Sequence, residues 1–360
     1  MGGDEHMADT AQRPAGPERP WLNLLLLVGG FLALCLATLL LPHDPYIRYQ
    51  QLLPTIQSGA VWGFERTELR DTAIDIAVVG NSRMQAGVSA PELQGALVAE
   101  TGRDLHVANL AMPQEGRNAQ YVVAKRLLQS HPELDLLIVS VVEQMPREGH
   151  PAFRNIADAG DVLDAPVLFN RDYFDDLAYL PYRQLSLFVQ SALPRAFGNR
   201  RGLDDAGYPG DDFDTTHSFT TATGNYVDRD SYHTAEELLP PARERVQGIT
   251  PPLLPASAAD YEFAVERHYT REIARLAQAN GTRVVFLYLP IYNYPLPVQD
   301  QAFYEQRGAL LAADFLADDA RNYSDYGHLN RHGSALLTDW LARQLVEREL
   351  VPPRTTQAGE

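Results

Sequence analysis

Lysine and cysteine are almost absent from this chain of 360 residues, which carries one of each, Lys125 and Cys35. The lysine sits in QYVVAKRLLQ, which reads as helix rather than as a glycine loop, so no phosphate-loop lysine and no dedicated Schiff-base lysine is available. With one cysteine, no internal disulfide can form and no thiolate metal site can be built. Stability must come from core burial. Positive charge is scarce as well: 30 Lys+Arg against 47 Asp+Glu give a formal net charge of -17. The arginines are interspersed with acids, whereas neutralising a phosphate backbone needs a basic face, so nucleic acid is not an expected partner. Apolar residues are not lacking. At 45% of the chain they suffice for one large domain or two small ones.

The longest uncharged run is WLNLLLLVGGFLALCLATLLL, residues 21–41, closed by Pro42. About 20 apolar residues are what a helix needs to cross a bilayer core. A cleaved signal peptide would have a shorter apolar segment and a small-x-small site before the globular part. A lipoprotein site at Cys35 would want a small residue where Leu34 stands. The run therefore reads as an uncleaved signal anchor. Arg13 and Arg19 before it, against Arg48 after it, favour an internal N-terminus by a narrow margin.

Beyond a juxtamembrane stretch at 42–70, short apolar runs alternate with amphipathic segments, the α/β pattern. Strands are expected at Ile74–Val79, Leu105–Leu110, Leu134–Val142 and Arg283–Leu289, each apolar enough for a parallel sheet covered on both faces. Ser89-Ala90-Pro91-Glu92 reads as a capping box opening a helix, and Asn118–Gln129 forms another. Val265, Tyr269, Ile273 and Leu276 make one face of a third, and Leu337, Leu341 and Leu345 one face of the last. Residues of about 145–259, rich in Asp, Tyr, Gly and Pro, break this rhythm and read as an insertion. The organisation is thus a tail at 1–20, an anchor at 21–41, the stretch at 42–70, a domain at 71–347 and a tail at 348–360.

In an open parallel sheet, ligands bind beyond the carboxyl ends of the strands. Ser82, in Gly80-Asn81-Ser82-Arg83, follows the first of these strands; Ala111 to Gly116 follow the second, Glu143 the third and Pro290 to Tyr294 the fourth. A serine on such a turn can act as a nucleophile if a base takes its proton and N–H groups hold the oxyanion. NYSDYGHLNRHGSALL supplies the base: Asp325 and His328, three residues apart, can share one loop, with Asp325 fixing the imidazole tautomer. Each motif has a plainer reading. Gly, Asn and Ser favour turns for conformational reasons alone; Arg83 and Glu143 suit pairing within the crevice, and His332 suits the helix surface. Asp211, Asp212 and Asp214 lack EF-hand spacing and read as solvated loop carboxylates. Tyr208, Tyr226 and Tyr232 could stack on sugars or simply pack.

The order GNSR, then VANLAMPQEG, then DYGH resembles the SGNH (GDSL-like) hydrolases, in particular the membrane-anchored extracytoplasmic branch associated with acylation of cell-envelope polymers. The resemblance covers roughly Asp71 to Leu345, less the insertion. It implies a flavodoxin-like three-layer α/β fold, with Ser82 as nucleophile and oxyanion donor, His328 as base and Asp325 as its orienting acid. VANLAMPQEG resembles the segment whose glycine N–H contributes to the oxyanion hole, with Ala111 and Gly116 as rival donors. The chain departs from the pattern after the third strand, where Ser140-Val141-Val142-Glu143 replaces the usual Gly-x-Asn-Asp. An oxyanion donor of this kind supplies about 3–4 kcal/mol of transition-state stabilisation.

The expectation is a serine esterase or O-acyltransferase of the inner membrane, with one span and its globular part outside the cytoplasm, acting on an envelope glycan or polymer. Arg83 could steer an anionic substrate. No metal or organic cofactor is required. The resemblance further implies a membrane-bound O-acyltransferase as partner. The alternative is a catalytically weak SGNH-like binding or assembly subunit that keeps the fold to hold polymer or partner.

Overall fold

The computed structural model describes residues 20–221 and 224–351; Arg13, Arg19 and the tails at 1–19 and 352–360 lie outside the described residues. The chain begins with α1 (Pro20–Thr38), α2 (Pro45–Gln50) and α3 (Gly59–Glu68), then enters the α/β body with β1 (Ile76–Val79), α4 (Ser82–Gly87), α5 (Ala90–Thr101), β2 (Val107–Asn109), α6 (Arg117–Ser130) and β3 (Leu136–Val141). The insertion follows, with α7 (Phe153–Ile156), α8 (Ala159–Leu163), α9 (Tyr173–Ala192), a 3-10 turn at Pro194–Phe197, a small hairpin of β4 (Phe219–Thr220) and β5 (Tyr226–Val227), and α10 (Ala235–Gln247). The body resumes with α11 (Ala259–Glu262), α12 (Ala264–Asn280), β6 (Arg283–Tyr288), α13 (Gln301–Glu305), β7 (Ala309–Ala312) and α14 (Arg331–Glu347).

Five strands form one parallel sheet in the order β2-β1-β3-β6-β7. This is the 2-1-3-4-5 succession of doubly wound sheets, which reverses direction beside the first strand. Side chains alternate between its faces, as the two-residue period of a strand requires. Ile76, Val78, Leu136, Ile138, Val285 and Leu287 point to a core closed by Leu93 and Leu97 of α5 and Leu337, Leu341 and Leu345 of α14. Ala77, Val79, Leu137, Val139, Val284 and Phe286 point the other way, onto Ala124 and Leu127 of α6 and Ile273 and Ala277 of α12. The result is three layers.

The four expected strands are present, shortened at their ends. The fifth, β7, is a four-residue Ala-Leu-Leu-Ala strand at the sheet edge and was not expected from the sequence. The expected capping box at Ser89 forms by half: Ser89 Oγ accepts from the Glu92 amide at 3.3 Å, while the Ser89 amide donates instead to Thr338 Oγ1 at 3.3 Å. Residues 42–70, read as a juxtamembrane connector, fold into α2 and α3. Their Tyr46, Tyr49, Leu52, Val61 and Phe64 make a third apolar cluster with Phe153, Ile156, Leu180, Val265 and Tyr269. Helix α1 is different: it is 19 residues long, apolar enough to cross a membrane, and buries none of its residues in the protein.

Candidate active site

The turn after β1 has no room for a side chain at its first position. A Cβ on Gly80 would come within 2.7 Å of both Met84 Cγ and Ser140 Cβ, so the chain passes here only as glycine. Asn81 is extended and buried, and its carboxamide oxygen caps α4 by accepting from the amides of Arg83 at 3.0 Å and Met84 at 3.4 Å. That leaves the Ser82 N–H, at the first helical position, among the donors that a helix start leaves without an intrahelical partner. Asn109, at the end of β2, steadies the far end of α4: its Nδ2 donates to the carbonyls of Met84 at 3.0 Å and Val88 at 2.7 Å.

The second half of the site is a loop that closes on itself before α14. Tyr323 and Leu329 form a β-bridge, the Ser324 amide donates to the His328 carbonyl at 2.9 Å, and Asn330 both caps α14 and donates to the Arg321 carbonyl. Asp325 Oδ1 accepts from the amides of Gly327 at 2.8 Å and His328 at 2.9 Å, which turns Oδ2 to His328 Nδ1 at 2.7 Å. On the other side of the ring, His328 Nε2 lies 2.7 Å from Ser82 Oγ. Burial acts to raise the Asp325 carboxyl, but the His328 hydrogen bond and charge and the two amides outweigh it and hold the carboxyl below its ordinary value. An ionised Asp325 is acceptor-only, so Nδ1 carries the proton and Nε2 is free to accept the serine hydroxyl. Serine, base and orienting acid thus converge from positions 82, 328 and 325.

Beside them lies a buried ion cluster. Arg83, next to Ser82, reaches Glu143 Oε2 at 2.8 Å and the Leu289 carbonyl at 3.2 Å, tying together the segments that follow β1, β3 and β6. Arg245 of α10 meets Glu143 Oε1 from the insertion, at 2.9 Å from Nη2, and lies 3.7 Å from Glu115. Glu143 is 4% exposed and Arg83 8%. Burial acts to raise the Glu143 carboxyl, and the two guanidiniums overcome it and hold it below its ordinary value. A Cβ on Gly327 would meet Arg83 Nε at 3.9 Å, so the cluster also abuts the histidine loop.

The remaining site residues take these places. The Ala111 amide donates to Asn109 Oδ1 at 3.1 Å. Gly116 precedes α6 at its cap position with φ 145°, pressed against His150, whose backbone nitrogen a Cβ would approach to 2.2 Å. Glu143 and Arg83 are partners of each other, and His332 is exposed in the first turn of α14. Asp211 and Asp214, read as solvated, instead pin the insertion to the body: Asp211 bonds Thr72 Oγ1 at 2.6 Å and Arg70 Nε at 3.1 Å, and Asp214 bonds Ser89 Oγ at 2.6 Å. Tyr208 donates to Asp211, while Tyr226 and Tyr232 stay exposed. Arg245, Asn109 and the buried Arg229, whose guanidinium lies within the field of Asp325, were not singled out from the sequence. Asn109 had a signal, a polar residue closing an apolar strand at the sheet edge where ligands bind.

No family model matches the chain, and no curated protein does either.

Proposed function

We propose that this protein is a membrane-tethered serine esterase or O-acyltransferase of SGNH (GDSL-like) type, working outside the cytoplasm on a cell-envelope glycan or other polymer. The observation that carries the reading is the pair of 2.7 Å contacts through His328, one to Ser82 Oγ and one to Asp325 Oδ2. The sheet order and the apolar α1 fit the three-layer, N-terminally anchored form of that family.

In this mechanism Ser82 Oγ attacks the carbonyl carbon of an acyl donor while its proton passes to His328 Nε2. The negative charge on the carbonyl oxygen is met by backbone donors, of which the Ser82 N–H is the best placed by its helix position. Collapse of the tetrahedral intermediate breaks the bond to the leaving alcohol, which takes the proton from Nε2. The acyl-serine then gives its group to water or to a polymer hydroxyl, with His328 accepting the incoming proton and returning it to Ser82. Asp325 keeps Nδ1 protonated and stabilises the imidazolium. A membrane-bound O-acyltransferase would be the natural source of acyl groups on the other side of the bilayer.

Labelling with a fluorophosphonate probe tests the reading. The parent should form a covalent adduct that Ser82→Ala abolishes; equal labelling of both, or none of a folded parent, overturns it. Full-length protein should also resist carbonate extraction, with Ser82 accessible from outside the cytoplasm.

One observation favours a second reading, a binding or assembly subunit: Val142, whose side chain carries no donor, stands where the family places its asparagine donor, and the adjacent Glu143 is held by two arginines as an acceptor-only carboxylate. That reading expects polymer modification in cells to survive Ser82→Ala.

A further inference from the structure

Helix α9 is inside out. Its buried face carries Asp176, Arg183 and Gln184 beside Leu180 and Leu187, whereas Tyr182, Leu185, Val189 and Leu193, spaced three to four residues apart, form a stripe exposed to solvent. Phe188 and Phe197 widen the stripe, the latter at 53% exposure. Amphipathic helices of water-soluble folds put these residues on the opposite sides, and an apolar patch of this kind marks a surface that something covers.

Position and charge say what covers it. The stripe ends where the chain leaves α1: Ser191 Oγ accepts from the Asp44 amide at 2.9 Å, and Arg200 exchanges two 2.8 Å hydrogen bonds with Gln50 of α2. Helices α1 and α9 touch, and Cys35 and Thr38 are the residues of α1 that are partly covered. From Tyr182 to Arg201 the chain holds four arginines and no acid, in a molecule with 47 Asp+Glu. Arg200 pairs with Glu65 at 3.3 Å and with Asp204 at 3.8 Å, while Arg195 and Arg201 are exposed beside Leu193 and Phe197. Aromatic and aliphatic side chains rimmed by exposed arginines are the composition that settles at the boundary between lipid headgroups and acyl chains.

We infer that the exposed stripe of α9 and the turn after it form a second membrane contact, which lays the globular part on an anionic bilayer surface beside the exit of α1. The inference rests on the membrane-tethered reading above. A single helix followed by a connector would let the body swing; a two-point attachment holds it in one orientation, so that the distance of Ser82 from the bilayer is fixed.

Full-length protein with Cys35→Ser, reconstituted in phosphatidylethanolamine and phosphatidylglycerol vesicles, tests this by nitroxide labels at Leu185→Cys, Val189→Cys, Leu27→Cys in α1 and Tyr232→Cys on the insertion. The measurement is the ratio of collisions with oxygen to collisions with a water-soluble nickel chelate. At 185 and 189 it should approach the value at 27 and exceed that at 232 by about fivefold or more, as for residues inserted below the headgroups. Lipid contact at 27 with water contact at 185 and 189 overturns the docking surface and leaves the tether standing. Water contact at 27 overturns the tether and the docking with it. Shielding from both reagents at 185 and 189 means that a protein, a second copy included, covers the stripe, which also overturns the inference. With Leu185→Glu and Val189→Glu in place, a label at Leu193→Cys should return to water while one at 27 stays in lipid and the unfolding temperature holds; persistence of the 193 label in lipid would count against the proposal.

Discussion

Two polar clusters share the carboxyl edge of the sheet, and they are built on opposite principles. The Ser82, His328 and Asp325 group is partly open to water, with side-chain exposures of 29% for His328 and 50% for Asp325. The Arg83 and Glu143 pair is closed, with side chains 9% and 1% exposed, and Arg245 reaches Glu143 from a partly exposed position at 28%. A buried charge without its partner is far costlier than an exposed one. The closed cluster should therefore govern folding and the open one chemistry, although Arg83 and Ser82 are neighbours in sequence.

The largest effect expected from breaking this division is on turnover. Ser82→Ala should reduce ester hydrolysis or acyl transfer by roughly 10³–10⁶, as when a nucleophile acting in a unit is removed, with no change in the unfolding temperature. Asp325→Asn should come next: it keeps the loop but no longer fixes the tautomer, a loss of about 10⁴ in the serine-protease precedent. Combined with Ser82→Ala it should add little further, which steady-state kinetics on the double variant would show.

In the closed cluster the readout reverses. Glu143→Ala leaves the buried Arg83 without its carboxylate partner and should cost about 3–5 kcal/mol of stability by denaturant titration. Because the carboxyl of Glu143 is lowered in the folded state, its contribution is complete above the unfolded value of 4.5 and is lost as pH falls through the folded one. Glu143→Gln should flatten the stability profile in that acid range. If Glu143→Ala removed activity while leaving stability intact, the division between the clusters would be wrong.

The smallest effect lies away from the sheet. Burial and the neighbouring Asp172 push Asp176, on the inner face of α9, up to about 6 from 3.8. Between those values the folded state holds a proton that the unfolded state has released, so stability falls as pH rises through the window. Asp176→Asn should stabilise the protein by about 1–3 kcal/mol at pH 8 and by almost nothing at pH 4.

The open cluster was legible in the sequence because each half lies in one short string. A strand ending in Gly-Asn-Ser and an Asp-x-x-His before a helix carry their own local geometry, and sheet topology brings them together. The closed cluster was only half legible. Arg83 and Glu143 follow expected strands, but Arg245 lies in α10, whose Pro240 and Pro241 argue against a helix. A capping box at Thr234 and burial of Leu238 and Ala242 override the prolines. Strand β7 escaped for the opposite reason: Ala309-Leu310-Leu311-Ala312 is four residues long with no β-branched or aromatic residue to announce a strand, and pairing with β6 supplies what propensity does not. The connections of Asp211 and Asp214 could not be read either, since a carboxylate bound to a distant hydroxyl looks in sequence like one in water.

The place of the insertion sets the timing of folding. Strands β3 and β6 are neighbours at the middle of the sheet, with Leu136 paired to Arg283, yet the whole insertion separates them in the chain. While the intervening residues emerge, β2, β1 and β3 can assemble, but β3 waits with the bare edge of an apolar parallel sheet. Pairings this distant in sequence form slowly, and open edges of this kind invite association with other chains. A transmembrane start would hold each nascent body apart on its own stretch of bilayer during that wait. Truncations ending before Arg283 should consequently aggregate rather than yield a smaller soluble domain.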